Sequence, residues 1–328
     1  MLMDEVVQGT VRKPPRRVWR RRLATAVAVL FAAGTAVRLG GLESGVLLVP
    51  LVSFTPYFGV AALLMLGFAA LARSRAAVAI MLAVCVCLAW VVLPRALGSG
   101  TDAAPGRPLR VLTANLNGGR GDAETIVGYV RSLNVDVLSL QELTWAERDR
   151  LAAAGLEALL PYQLTKPETW GPVGSGIYAR YPLRERTGVF QPVGHHMPVA
   201  EVAVPGGAVE VVLVHPVAPV PSTVPEWEAG VGTLPPATST GAPRILAGDF
   251  NATLDHAVFR RLLGTGYADA AAATGKGLVP TWPMRRIPPL VAIDHVLTDG
   301  RGRAVDTRIL DLPGSDHRAL FADLRLRP

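Results

Sequence analysis

Cysteine is almost missing from this sequence: Cys85 and Cys87 are the only two among 328 residues. Disulfides are therefore not what holds the C-terminal two-thirds together. Two apart on a helix, the thiols do not face one another, so packing is the role expected of them. Charge is scarce too, at 18% of residues against 50% hydrophobic. With a mean hydropathy of +0.33, the chain is too apolar for an ordinary soluble enzyme. The charge it has is uneven. Residues 1–107 hold 12 Lys or Arg against 4 Asp or Glu, which leaves 21 against 22 in 108–328. The net +7 thus belongs to the N-terminal part, and the rest lacks the surplus of a groove for polyanions. No nucleic-acid partner is expected.

Long stretches also lack charge altogether. Leu23 to Val37 is one, reaching Leu42 if Arg38 snorkels; Val46 to Ala72 is the second, interrupted by Pro50 and Pro56; Ala76 to Leu93 is the third. A bilayer core takes about 20 apolar helical residues, so three transmembrane helices are expected over residues 23–93. A cleaved signal peptide is the rival reading of the first run, but no clear A-x-A site follows and two more runs do. Residues 1–22 form a basic tail, with seven positive charges from Arg12 to Arg22 and with Pro14 and Pro15 discouraging a helix there. The loop Arg73-Ser74-Arg75 is basic as well. The positive-inside rule then puts tail and loop in the cytoplasm and everything after Leu93 outside. Residues 94–108, rich in Gly, Ala and Pro, read as a linker.

From Leu109 short β-rich runs alternate with amphipathic helices. Ile245-Leu-Ala-Gly-Asp249-Phe-Asn251 is the most telling: a buried strand that delivers an acid and an amide on one face at its end. A turn that merely starts the helix expected over Thr253 to Leu263 is the bland alternative. Leu109 to Ala114 ends likewise at Asn115, and Asp136 to Leu140 ends at Gln141-Glu142. A carboxylate there needs a partner, either a hard divalent cation or a neighbouring Arg. Asp122 caps a helix whose apolar face is Ile126, Val127, Val130 and Leu133. Val199 to Val204 and Val209 to Val214 read as a hairpin, the second strand ending at His215. Residues 216–243 form a Pro-rich excursion that is either functional or mobile. Asp294, Asp316 and His317 are the remaining polar positions near strand ends. His195 and His196 lie in a loop and are expected to be unremarkable.

The pieces TANLN, LSLQE, GSGIYARYPL, LVHP, ILAGDFNAT, IDHV and GSDHRAL, in this order, resemble the endonuclease/exonuclease/phosphatase superfamily of DNase I-like fold. The resemblance covers Leu109 to the C-terminus. It implies a four-layer α/β sandwich and a site where strand ends converge. It also implies roles: Glu142 binding Mg²⁺ or Mn²⁺, Asn115 supporting the metal or a phosphate oxygen, and Asp249 orienting or deprotonating the attacking water. Asn251 would hold the phosphoryl group, Asp294 would orient His317 toward the phosphate, and Asp316 would help with metal or His orientation. His215 would contact the phosphate or assist the leaving oxygen. The chain departs from the family at Val214-His215-Pro216, where Thr-His-Leu is common, which alters the backbone after the histidine.

Three spans followed by such a domain resemble the actinobacterial teicoplanin-resistance membrane proteins of VanJ type. That layout implies a lipid bilayer as partner, an extracytoplasmic site, and a lipid-linked phosphate such as undecaprenyl pyrophosphate as substrate. A surface nuclease and a non-catalytic envelope sensor are the alternatives.

Overall fold

In the computed structural model the described residues are 16–99, 105–284 and 290–327, and they fall into two compact units, residues 1–37 with 57–89 and residues 38–56 with 90–328. The expectation that Pro14 and Pro15 discourage a helix lies outside the described residues. From Arg16 the chain is helical.

The helices of the N-terminal third are α1 (Arg16–Gly40), α2 (Gly45–Val52), α3 (Thr55–Leu71), α4 (Arg75–Val92) and the short α5 (Pro94–Leu97). In the first unit small side chains meet: Ala24, Ala28, Ala62, Ala69 and Ala77 are buried with Met81, Val84 and Leu88. Residues this small let helix backbones approach closely. Phe31 stacks on Phe58 with ring centroids 4.4 Å apart, and Cys85 packs at the edge of the same cluster.

The second apolar run differs from expectation. It is broken at Ser53-Phe54, where Thr55 Oγ1 donates to Val52 O (2.7 Å) and Pro56, with no N–H to give, opens α3. By length and composition, Val18–Gly40 and Arg75–Leu97 could each cross a membrane, and a third crossing requires the bent pair α2 and α3 to count as one span. Arg38 does not reach for water; it is buried against Asp255.

The second unit is built on two six-stranded sheets. Strands β1 (Arg107–Asn115), β2 (Val137–Gln141), β3 (Tyr162–Lys166) and β4 (Ser175–Ala179) join β11 (Gly302–Leu310) and β12 (Ala319–Leu326) in the order β11-β12-β1-β2-β4-β3. Strands β5 (Leu183–Glu185), β6 (Val199–Val202), β7 (Val209–Val214), β8 (Arg244–Asp249), β9 (Ala268–Asp269) and β10 (Asp294–Thr298) form the other, in the order β5-β6-β7-β8-β10-β9. Strand periodicity sorts the side chains. Leu109, Val111, Val211, Leu213, Ile245 and Ala247 fill the space between the sheets. Leu112 and Ala114 face α6 (Ala123–Ser132), α7 (Trp145–Ala153) and α8 (Leu156–Leu159) on one outer side. Val212, Val214 and Leu246 face α9 (Val224–Gly232) and α10 (Ala257–Gly264) on the other, and α11 (Ala270–Ala273) completes the set. The result is a helix–sheet–sheet–helix sandwich.

Asp122 caps α6 as expected, accepting from Thr125 N at 2.8 Å. Two helices depart from the sequence reading. The Pro-rich excursion contains α9, whose Trp227 is buried between α10 and the sheet. Helix α10 begins at Ala257 rather than Thr253, because Thr253 to His256 form a turn in which His256 Nδ1 accepts from Thr253 N (2.9 Å). Of the expected linker, α5 is ordered against the sandwich through Arg95, and residues 100–104 lie outside the description.

Candidate active site

In each sheet the two central strands run parallel, β1 beside β2 and β7 beside β8, so their C-terminal ends share an edge. Strand β10 runs antiparallel to β8 and starts there, with Asp294 opposite Asp249. Along each inward-facing row polarity rises toward that edge: Val111, Thr113, Asn115 on β1, and Ile245, Ala247, Asp249 on β8. Period 2 continues the β7 row from Leu213 to His215. The site is therefore the open polar end of the apolar core between the sheets. Ser139 Oγ donates across it to Ala247 O (2.9 Å), one inward step before Asn115 and Asp249.

Asn115 joins the sheets. Its Nδ2 donates to Glu142 Oε1 and to Asp249 Oδ2, both at 3.1 Å, while its Oδ1 accepts from Asn117 N at 2.8 Å. Glu142 follows the end of β2 and would point out of the inward row. A φ of 60° turns it in, where Gly118 N donates to Oε2 at 2.6 Å. Asn117 and Asn251 also sit at positive φ, 50° and 48°. Asn tolerates this region and Glu does so rarely, so the Glu142 conformation stores strain of roughly 1–3 kcal/mol at the site.

Asp249 is buried. Its Oδ1 accepts from Asn251 N (2.8 Å), and its Oδ2 lies 3.7 Å from His317 Nε2 and 3.9 Å from His215 Nε2. Burial pushes its carboxyl up to about 7, with Asp294 adding to the rise and His317 opposing it. His317 Nδ1 donates to Asp294 Oδ2 at 3.0 Å. Burial alone would lower the imidazole; Asp294 and Asp249 outweigh it and raise His317 to about 10, so it is a cation at neutral pH. His215 behaves oppositely. Burial, then the neighbouring His195 and His317, hold it well below its usual range, so it is neutral. Asn251 Nδ2 donates to Pro216 O (3.1 Å), which ties the residue after His215 to the site.

The eight residues singled out from the sequence thus fall into two groups. Asn115, Glu142, His215, Asp249, Asn251, Asp294 and His317 share one contact network. Asp316 stands beside it: its carboxylate accepts from Trp282 Nε1 (3.1 Å) and acts on His317 only through charge. Among the described residues no Lys or Arg pairs with Glu142, Asp249 or Asp294, and Asp294 Oδ1 is buried without a partner. Three carboxylates that share a single protonated imidazole suit a hard cation. Asp249, Asp294 and His317 have ligand atoms within 4.8 Å of one another. Glu142, beside Asn115, is a further carboxylate on the same network.

Three contributors escaped the sequence reading. His195 packs its ring on His215, centroids 4.4 Å apart, although the two adjacent histidines gave no signal of which mattered. His196 pairs instead with Glu168 (3.1 Å). Ser315 Oγ donates to Asn115 O (2.7 Å) and accepts from His317 N (3.0 Å), coupling the two ends of the chain's motif set. Thr281 Oγ1 accepts from Ile293 N and Asp294 N at 3.1 and 3.2 Å, fixing the start of β10.

The same fold appears in solved structures. A humanized TDP2 from D. rerio shares 17% identity at a TM-score of 0.52 over 66% of this chain and 99% of that one. Truncated Caenorhabditis elegans TDP2 shares 16% at 0.52 over 67% and 98%. The human Nocturnin catalytic domain shares 16% at 0.50 over 67% and 94%. At these identities the likeness is one of fold. No curated protein matches the chain. A family model does, over residues 112–317, a span that holds every residue of the network from Asn115 to His317. With well over half of its length so matched, the chain belongs to the Endonuclease/Exonuclease/phosphatase family.

Proposed function

We propose that this chain is a membrane-anchored, divalent-metal-dependent phosphoester hydrolase with an extracytoplasmic site, acting on a lipid-linked envelope phosphate such as undecaprenyl pyrophosphate. The observation that carries the chemistry is the network of Glu142, Asp249, Asp294, His215, His317, Asn115 and Asn251 at the open end of the sandwich. A Mg²⁺ or Mn²⁺ ion held by Glu142, with Asn115 beside it, would supply charge against the negative charge growing on phosphorus. The side chains do the rest. Asp249, fixed by donors from Asn115 and Asn251, takes a proton from the attacking water. A buried carboxyl poised near 7 suits that role. His317, oriented by Asp294 and protonated, donates from Nε2 to a phosphoryl oxygen. The Asn251 amide faces the same group, and neutral His215 assists the departing oxygen. Water attacks phosphorus directly, so no covalent enzyme intermediate forms.

The substrate class is supported by composition. The basic excess lies in the N-terminal part while residues 108–328 are near neutral, as a membrane anchor carrying a site for something other than a polyanion would be. Helices Val18–Gly40 and Arg75–Leu97, with the bent pair α2 and α3 as the third crossing, supply the anchor, and an odd number of crossings leaves the site outside. A role in envelope metabolism or glycopeptide resistance of VanJ type follows from this reading. The test is phosphate release by purified full-length protein from undecaprenyl pyrophosphate, with Mg²⁺ or with EDTA, beside a DNA-cleavage control. Metal-dependent release with intact DNA is expected. DNA cleavage without lipid turnover would instead make the chain a surface nuclease, and activity undiminished by EDTA would remove the metal from the reading.

A further inference from the structure

The segment 38–56 belongs to the same compact unit as the sandwich, and three sets of contacts fix it there. Arg38, in the last turn of α1, donates Nε to Asp255 Oδ1 (2.8 Å). Arg95, in α5 just after α4, donates Nη1 and Nη2 to Asp255 Oδ2 and Oδ1, both at 2.7 Å. Asp255 is fully enclosed, and the two guanidinium groups hold its carboxyl below its usual range against the effect of burial. Glu43 accepts from Ala257 N at the start of α10. Within α2, Val49 O accepts from His256 Nε2 (3.0 Å), and the Val49 side chain joins the cluster of Trp227, Phe250 and Phe259. Trp227 in turn donates its indole to Phe250 O (3.3 Å), one residue before Asn251. A continuous set of contacts therefore runs from α2 to the turn that bears Asn251.

The opposite face of α2 is bare. Leu47 is 75% and Leu51 67% exposed, Val46 and Leu48 are exposed beside them, and no residue from Gly45 to Val52 has a polar side chain. An interfacial helix ordinarily turns a charged face to water and an apolar face to lipid. Here the place of the charged face is taken by the sandwich, and the apolar face remains. The chain around it says what covers that face. Helix α2 follows α1 after only four residues and leads directly into α3, so apolar helices adjoin it on both sides along the chain.

We propose that α2 is a lipid-facing shelf: its Val49–Val52 side is fused to the catalytic unit, and its Leu47–Leu51 side lies in the acyl–headgroup boundary of the outer leaflet. The partner is the phospholipid bilayer itself. The shelf holds the Asn251 turn from below and sets the site at the level where a membrane-borne phosphate resides, which a freely tethered domain would not do. This rests on the reading that the apolar helices enter a bilayer, and it is independent of the reaction catalysed.

The experiment uses the full-length chain carrying Cys85→Ala and Cys87→Ala, reconstituted in phosphatidylglycerol/phosphatidylethanolamine nanodiscs. A nitroxide is attached at Leu47→Cys, at Leu51→Cys, at Val86→Cys on the exposed face of α4, or at Glu124→Cys on α6, and its collision rates with oxygen and with an aqueous nickel chelate are compared. Labels at 47, 51 and 86 are expected to favour oxygen severalfold, and the label at 124 to favour nickel. If 86 favours oxygen while 47 and 51 behave like 124, the shelf is overturned and membrane anchoring stands. If 86 also favours nickel, the anchoring fails and the shelf with it.

Discussion

Asp294 and His295 are consecutive on β10, and each belongs to a buried Asp–His pair on its own side of the sheet. On the inner side Asp294 Oδ2 accepts from His317 Nδ1 at 3.0 Å. On the outer side Asp269 Oδ2 is 2.8 Å from His295 Nδ1. In both pairs burial lowers the imidazole and the carboxylate more than reverses it. The pairs part at the second ring nitrogen. His295 Nε2 is bonded to Ala252 O (2.8 Å), and its ring packs between Phe250 and Phe259, so every polar atom is spent inside the core. Among the described residues His317 Nε2 has no such bond, with Asp249 Oδ2 3.7 Å away, at the polar end of the sandwich. An Asp–His pair is thus not itself a sign of catalysis. The unspent nitrogen is what the proposed reaction would use.

The sharpest way to break this comparison is to replace each histidine. His317→Asn is expected to lower kcat by about 10³-fold, within the range a positioned acid or base contributes, and also to cost stability, because it leaves the buried Asp294 carboxylate unpaired. His295→Asn is expected to cost stability alone: kcat per folded molecule within severalfold, with stability reduced by roughly 3–5 kcal/mol, the cost of leaving a buried charge unpaired. Phosphate-release kinetics and denaturant melts on the two variants decide it. Equal losses of activity would erase the distinction between the pairs.

A smaller effect appears in the pH dependence of folding with divalent cations chelated. His317 titrates near 10 when folded against its ordinary 6.5, so the stability it confers is full below about 6.5 and is lost as pH rises toward 10. Asp249, raised to about 7 from 3.8, has the same sign: the folded state keeps its proton longer, and stability falls between those values. Denaturant midpoints in EDTA should therefore decline from neutral to alkaline pH; below about 6.5 the depressed His215 has the opposite sign and offsets Asp249. Asp294→Asn should flatten the upper part of that decline and leave a residue due to His295, whose pKa is raised as well. Should the variant keep the full slope, Asp294 is not what holds the proton on His317.

Much of this was legible because strands alternate. Asn115, His215, Asp249 and Asp294 continue inward rows whose earlier members are apolar, and a polar group at the end of such a row must face the edge of the core. Glu142 is out of phase with its row and becomes part of the site only through a left-handed backbone that local pattern does not announce. The Asp255 clamp was invisible for another reason. Its arginines lie 217 and 160 residues away along the chain, one of them inside an apolar run where charge reads as an intrusion. Helix α9 hid in a segment rich in Pro and Thr, since its order comes from burying Trp227 rather than from propensity. The break between α2 and α3 was marked by Pro50 and Pro56, yet uniform hydrophobicity read as one span. Periodicity reports which face is buried, but not what lies on the other side of it.

The smallest effect tests how rigidly the open pair must be held. Thr281 Oγ1 accepts from both Ile293 N and Asp294 N, so it sets the backbone from which the Asp294 carboxylate reaches His317. Thr281→Val keeps the shape and leaves two buried N–H groups without that acceptor, a loss of about 1–3 kcal/mol in stability. Activity should fall only severalfold, because the carboxylate and imidazole remain. The loss should appear in kcat rather than KM, since the altered contact orients a proton donor and touches no substrate. The closed pair offers the control. Asp269 Oδ1 accepts from Ala272 N at 2.7 Å, capping α11, and Ala272→Pro would remove that donor without approaching the site. Stability should fall there too, with kcat unchanged. A kcat that responds equally to both substitutions would mean that the two pairs are mechanically one unit, and that openness alone does not separate the working histidine from the structural one.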